Sequence, residues 1–240
     1  MAKGKYIAWC DGDDYWCRTD KLEKQVYILE HNTSLSCVHT AWVNYYEDSN
    51  KFEDQYLQPE DWTLDNYGIN LLERFLKTHS AGIRYSSIVF RKDILLNFWK
   101  QDYEYLSVPH KHNDFIVFCV LAYTAPIYLW NEITVVYRVR KESLSMTQSA
   151  KKRFLYSLAF LHLLVYIIRR FSIPQTVAQI SVKTSLSSLL SYLYYNKSNE
   201  YLQEIKNLCN SINYHYTFKH KVLMLLIQYR ISIPYYTSLV

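Results

Sequence analysis

Three carboxylates fall within four positions, at Asp11, Asp13 and Asp14, directly after the apolar run Tyr6–Cys10. Acids this close repel one another. Without a cation, some must shift their pKa values or the turn must splay. A divalent metal removes the conflict, because hard cations take carboxylate oxygens. Gly12 lets the backbone bend between Asp11 and Asp13, so that both can face one ion. Ligands of open α/β sheets sit beyond the carboxyl ends of strands, which is where this turn is expected. The competing reading is a solvated Asp-Gly turn. The third acid, the apolar run before it and the bulky Tyr15-Trp16 after it weigh against that. An EF-hand does not fit: counting from Asp11, Trp16 stands at the glycine position and Leu22 at the terminal glutamate position.

Other chemistries are excluded or weak. Four glycines supply neither a GxGxxG nor a GxxxxGK[ST] loop. The five cysteines, Cys10, Cys17, Cys37, Cys119 and Cys209, are odd in number and form no CxxC, which speaks for reduced thiols rather than disulfides or a zinc site. His110 and His112 would face the same way only on a strand, and no third ligand is near; two loop histidines is the reading.

The elements that must position the acidic turn are legible in part. Tyr6–Cys10 reads as a buried strand. Asp20 and Glu23 read as a capping box opening a helix, with Leu22, Val26 and Leu29 on its apolar face and Asn32 as its stop. Ser36–Tyr45, Tyr85–Phe90, Ile127–Trp130 and Ile133–Val139 read as strands. A short helix follows Arg91, capped by Asp93. Another opens at Asn113 or Asp114, with Ile116, Val117, Val120 and Leu121 inward. Strands alternating with helices indicate a mixed α/β layer. Beyond residue 150 the strand alternation stops. Phe154–Phe171, Val177–Tyr195, Glu200–Ile212 and Phe218–Ile231 read as helices, with Pro174 and Asn196–Asn199 between them.

The segment Ala2-Lys-Gly-Lys-Tyr-Ile-Ala-Trp-Cys-Asp-Gly-Asp-Asp-Tyr-Trp16, followed by Lys21-Leu-Glu-Lys-Gln25, resembles the centre of a family 2 glycosyltransferase of GT-A fold. Ser86-Ser-Ile-Val-Phe-Arg-Lys92, His112-Asn113-Asp114 and Val135-Val-Tyr-Arg-Val-Arg-Lys-Glu-Ser-Leu-Ser145 resemble later segments of the family more loosely. The resemblance covers residues 2–146. It implies that Asp11 and Asp13 hold Mg²⁺ or Mn²⁺ on the diphosphate of a nucleotide-diphospho-sugar, with Asp14 supporting the turn. It implies a general base at Asp114, hence inversion at the sugar carbon, and a glycan or lipid-linked acceptor in cell-surface polysaccharide assembly. From sequence alone, a helix-capping role for Asp114 weighs equally with catalysis, and the resemblance tips it. Arg138 and Arg140 lie in the closing segment. Many relatives carry His where Arg140 stands; arginine cannot ligate a metal but can clamp a diphosphate, and a structural strand-edge role is equally open.

The expected fold is α/β: a partial GT-A mixed sheet with helices over residues 1–146, then an all-α basic tail over 147–240. The resemblance begins in the middle of the family pattern, so the nucleotide-binding half is expected to be missing and the chain to bind a nucleotide-sugar poorly or not at all. Residues 1–150 carry 16 Lys and Arg against 20 Asp and Glu, whereas residues 151–240 carry 11 against 2. A basic, apolar tail suggests an anionic partner. Lys151–Arg153 and Arg169-Arg170 flank uncharged residues, as in a helix lying on an anionic membrane or a helix packed on the body, with packing weighing slightly more. Nucleic acid is the weaker reading, since the charges are scattered and no recognition motif occurs. With no signal peptide and no apolar run of about 20 residues, the expected location is cytoplasmic or peripheral at the inner membrane face. Two alternatives stand beside the enzyme: a non-catalytic remnant acting as a binding or membrane-associated module, and a metal-dependent phosphoryl-handling protein.

Overall fold

The computed structural model describes residues 3–53, 67–102, 113–140 and 149–231. The chain divides into two compact units, Met1–Thr147 and Gln148–Val240. His110, His112 and residues 141–145 of the closing segment lie outside the described residues.

The first unit is a mixed α/β layer. Its strands are β1 (Tyr6–Ala8), β2 (Tyr15–Trp16), β3 (Cys37–Tyr46), β4 (Lys51–Phe52), β5 (Val89–Arg91) and β6 (Ile127–Val139). They form one sheet in the order β1-β5-β3-β6-β2, with β4 paired to β3. Only β3 and β6 run parallel; the other pairs are antiparallel. The helices are α1 (Lys21–His31), α2 (Ile69–Thr78), α3 (Lys92–Gln101) and α4 (Asn113–Thr124). Every residue from Phe115 to Ala122 is buried, so α4 is apolar all round and forms the centre of its layer, with α2 and α3 packed against it.

Several local expectations change. β1 is shorter than Tyr6–Cys10 and is not buried: it lies at a sheet edge, paired only with β5 among the described residues, and its side chains are half-buried or exposed. Tyr85–Phe90 is not one strand; Tyr85–Ser87 form a 3₁₀ turn before β5. The two strands expected at Ile127–Trp130 and Ile133–Val139 are one strand. The register against β3 jumps from Thr40↔Trp130 to Ala41↔Ile133, so Asn131 and Glu132 are absorbed as a bulge instead of a break.

Helix α1 buries a different face from the one its apolar spacing suggests. Lys21, Gln25 and Leu29 are inside, at i, i+4 and i+8, while Leu22 is exposed. Asp20 stands at the N-cap, but its carboxylate caps nothing; it accepts two hydrogen bonds, 2.8 and 2.9 Å, from Arg18. Asn32 does close the helix, returning both its backbone and side-chain N–H to the Ile28 carbonyl. Asp93 is in the first turn of α3, not at the cap, which is Arg91.

The second unit is helical: α5 (Ala150–Arg170), α6 (Gln175–Tyr195), α7 (Leu202–Asn210) and α8 (Phe218–Gln228). Ser149 and Thr217 cap α5 and α8 through their side-chain oxygens. Phe154, Leu158, Leu161, Leu164, Val165 and Ile168 are buried, and α5 packs mainly on α6. The apolar side of 151–171 is thus taken up within its own unit. Its exposed lysines and arginines stand at the two ends: Lys151, Lys152, Arg153, Arg169 and Arg170. No helix among the described residues is long and apolar enough to cross a membrane.

Candidate functional site

β1 runs into a tight turn closed by the Asp14 N–H donating to the Asp11 carbonyl at 3.0 Å. The turn is braced from two distant segments. Ser86, fully buried in the 3₁₀ turn, accepts the Asp11 N–H at 3.0 Å and donates its hydroxyl to Asp14 Oδ2 at 2.6 Å. The backbone N–H of Arg138 on β6 donates to Asp14 Oδ1 at 3.2 Å. Both oxygens of Asp14 are therefore engaged, and Asp14 is the acid that supports the turn.

Asp11 and Asp13 are left facing outward. Asp11 Oδ1 accepts the Trp9 indole N–H at 3.0 Å, leaving its other oxygen open. Asp13 is exposed, and its carboxylate has no hydrogen-bond partner among the described residues. Desolvation raises the Asp11 pKa; Asp13 and Asp114 raise it further, against the Trp9 hydrogen bond. The Asp14 pKa is also raised, first by burial and then by Asp11 and Asp13. No described lysine or arginine side chain forms an ion pair with any of the three acids. The neighbouring charges thus add to the desolvation of Asp11 and Asp14, and a hard cation on oxygen donors relieves both.

Asp114, in the first turn of α4, belongs to the same field. It is exposed, and its Oδ1 accepts the N–H of the next residue, Phe115, at 2.9 Å. Its charge reaches Asp11 and Tyr85. The Tyr85 hydroxyl is held up at about 12, chiefly by burial and then by Asp114 and Asp11, so it stays a donor at neutral pH. Trp9 and Tyr85 are tilted against one another at 4.9 Å, and Tyr85 meets the edge of Phe118 at 5.7 Å. The acids thus stand beside two aromatic rings, Trp9 and Tyr85.

Arg138 and Arg140 point their charge at Glu47, in the 3₁₀ turn Glu47–Ser49, at 3.2 and 2.8 Å. The two guanidiniums, Arg140 first, hold the Glu47 carboxyl below its usual range. Arg138 joins the acidic turn through its backbone, and its guanidinium lies 5.4 Å from the Tyr15 ring. Trp16 is packed: its indole N–H donates to the Ser86 carbonyl at 2.9 Å and Lys21 Nζ sits 4.6 Å from its ring.

Sequence reasoning missed Ser86, Trp9, Tyr85, Glu47 and the pair Lys21–Gln25. Lys21 is 1% exposed. Its ammonium donates to Gln25 Oε1 at 2.7 Å, and Gln25 Nε2 donates to the carbonyls of Val38 and Ser87 at 2.8 and 2.9 Å. This chain ties α1 to β3 and to the turn that carries Ser86. Burial lowers the Lys21 pKa from 10.5 to about 8. Below pH 8 folded and unfolded chains both hold that proton, and the desolvation penalty is constant. From about pH 8 to about 10.4 the unfolded chain holds more protons than the folded one, so this group makes stability rise with pH. Chemical denaturation should show wild type gaining on Lys21→Met across that window; a pH-independent difference between the two would contradict the assignment.

No family model matches this chain. It is similar to uncharacterized protein Rv1520 of Mycobacterium tuberculosis (strain ATCC 25618 / H37Rv), at 38% identity over 116 residues, which is 45% of this chain and 30% of that protein. Uncharacterized protein Mb1547 of Mycobacterium bovis matches to the same extent. The chain thus spans under a third of the length of the curated relatives it matches, and their names assign no activity.

Proposed function

We propose that the first unit is the metal-binding and acceptor half of a GT-A glycosyltransferase resembling family 2. In this reading it transfers a sugar from a nucleotide-diphospho-sugar to a glycan or lipid-linked acceptor. The observation that carries the reading is the division of labour in the acidic turn: Asp14 is consumed as a brace, while Asp11 and Asp13 stay open beside Asp114. Two outward carboxylates on a braced bend suit a hard divalent ion, Mg²⁺ or Mn²⁺. When bound, that ion would supply Lewis-acid stabilisation of the departing diphosphate.

The chain's own residues supply the rest. Asp114 lies in the first turn of α4, exposed and within reach of the field of Asp11. It can accept the proton of an acceptor hydroxyl, and attack opposite the leaving group inverts the sugar carbon. Tyr85 offers a hydroxyl donor beside the acids. Trp9 supplies an exposed ring face of the kind that packs on sugars. Arg138 and Arg140 form a cationic pair sharing one carboxylate, Glu47, and the surplus positive charge suits a diphosphate.

Pyrophosphate isolates the step that matters, because it presents the diphosphate without nucleoside or sugar. Calorimetry should show pyrophosphate binding in the presence of Mn²⁺ or Mg²⁺ and none with EDTA. Binding that is indifferent to metal would refute the reading, as would its persistence in an Asp11→Ala, Asp13→Ala chain.

A further inference from the structure

A small cleft lies in the first unit, on residues the reading above does not use. It measures about 160 Å³ and is lined by Trp42, Asn44, Ser80, Gly82, Ile83 and Arg84. Ligand sites for drug-sized molecules run to roughly 300–1,000 Å³. This one suits a single sugar-sized group and is too small for a nucleotide.

Its charge is unbalanced. Arg84 is half-buried, 4.0 Å from the centroid of the Tyr137 ring and 5.1 Å from that of Trp42. Among the described residues its guanidinium makes no ion pair, and no acid lines the cleft. Four other arginines of this unit are met by oxygen acceptors: Arg18 meets Asp20, Arg138 and Arg140 meet Glu47, and Arg91 donates to the Leu29 and Leu35 carbonyls. The acid nearest in the bonding pattern is Glu53, which takes the amide nitrogen of Asn44. Two buried atoms beside the cleft also lack a hydrogen-bond partner, Arg84 Nε and Asn44 Oδ1. A buried donor or acceptor left unpaired is costly. A donor that wants an oxyanion and an acceptor that wants a hydroxyl thus share one small cleft.

We propose that this cleft binds a small hydroxylated oxyanion of monosaccharide size, with Arg84 pairing the anionic group and Asn44 Oδ1 accepting a ligand hydroxyl. The shared chemistry is an anionic sugar; the anion is either a carboxylate, as in a uronate, or a phosphate ester. The guanidinium fork matches both. Stacking on Tyr137 and Trp42 holds the fork in place and keeps its cost of ordering low. The site needs no metal, so it stands or falls apart from the acidic turn.

The test is calorimetry on the full chain in EDTA, with glucuronate, glucose 6-phosphate and glucose as three separate ligands. We expect at least one of the two anions to bind, with glucose weaker by roughly ten-fold or more. The tighter of the two anions identifies the group recognised. Arg84→Met should weaken that anion by roughly ten-fold or more, and Arg169→Met, at an exposed position in the second unit, should not change it. If Arg84→Met does not fold, Arg84→Lys takes its place: it keeps the charge and loses the fork, and should still weaken binding. Any of three results overturns the proposal: no binding of either anion, equal binding of glucose, or unchanged affinity in the folded Arg84 variant.

Discussion

Asp114→Asn should lower sugar transfer by about 10²–10⁴-fold, the usual contribution of a positioned general base, in any preparation that turns over a nucleotide-diphospho-sugar. It should change Mn²⁺ affinity far less. Asparagine keeps the shape of the side chain and its bond to the Phe115 N–H, but it cannot take a proton. The competing role, a helix cap, predicts the reverse pattern. A cap binds the N–H two or three residues on, and its loss costs about 1 kcal/mol of stability without touching chemistry. Asp114 bonds the very next N–H, and its charge is felt by Asp11 and Tyr85. Turnover that survives the substitution, with the melting temperature lowered, would assign Asp114 to the helix and leave the reaction without its base.

Gln25→Ala should destabilise the first unit by roughly 2–4 kcal/mol, a large effect for one uncharged side chain. Gln25 is fully buried and is the acceptor for a buried ammonium. Removing it leaves Lys21 with only the Trp16 ring, and takes a donor from the carbonyls of Val38 and Ser87. It also opens a cavity under β3. The double change Lys21→Met, Gln25→Leu should recover most of the loss. An apolar pair of similar volume can replace a buried polar one, whereas half of such a pair is the worst case. Urea denaturation of the three variants reads this directly. A Gln25→Ala protein as stable as wild type, or a double variant no better than the single, would contradict the account of α1.

The acidic turn and the change of texture near residue 150 were legible because both are local. Acids crowded after an apolar run show up in a window of ten residues. The four helices of the second unit follow from apolar spacing, although α7 starts at Leu202 and not at Glu200, and α8 ends at Gln228 and not at Ile231. What escaped depends on residues far apart in the chain. β2 has only two residues and exists because Tyr15 and Trp16 pair with Val136 and Val135. The 3₁₀ turn at Tyr85–Ser87 replaces a strand because Ser86 must reach both Asp11 and Asp14, more than 70 positions away. The inner face of α1 was misread because apolar periodicity counts only apolar residues. Lys21 and Gln25 are buried by virtue of the hydrogen bonds they make, which one sequence does not display. Arg84 is the same case again: an arginine between rings reads as surface until the rings, from β3 and β6, are brought to it.

In the proposed reading, Asp11 and Asp13 share one divalent ion while Asp14 holds the bend. Electron paramagnetic resonance of free Mn²⁺ during titration of the purified chain tests it most directly. The account predicts one bound Mn²⁺ per chain, displaced by Mg²⁺. It predicts roughly ten-fold or greater loss of affinity in Asp13→Asn, because neutralising one of two carboxylate donors removes half of the charge that holds the ion. A signal that stays fully free in wild type, or an affinity indifferent to Asp13→Asn, would contradict it.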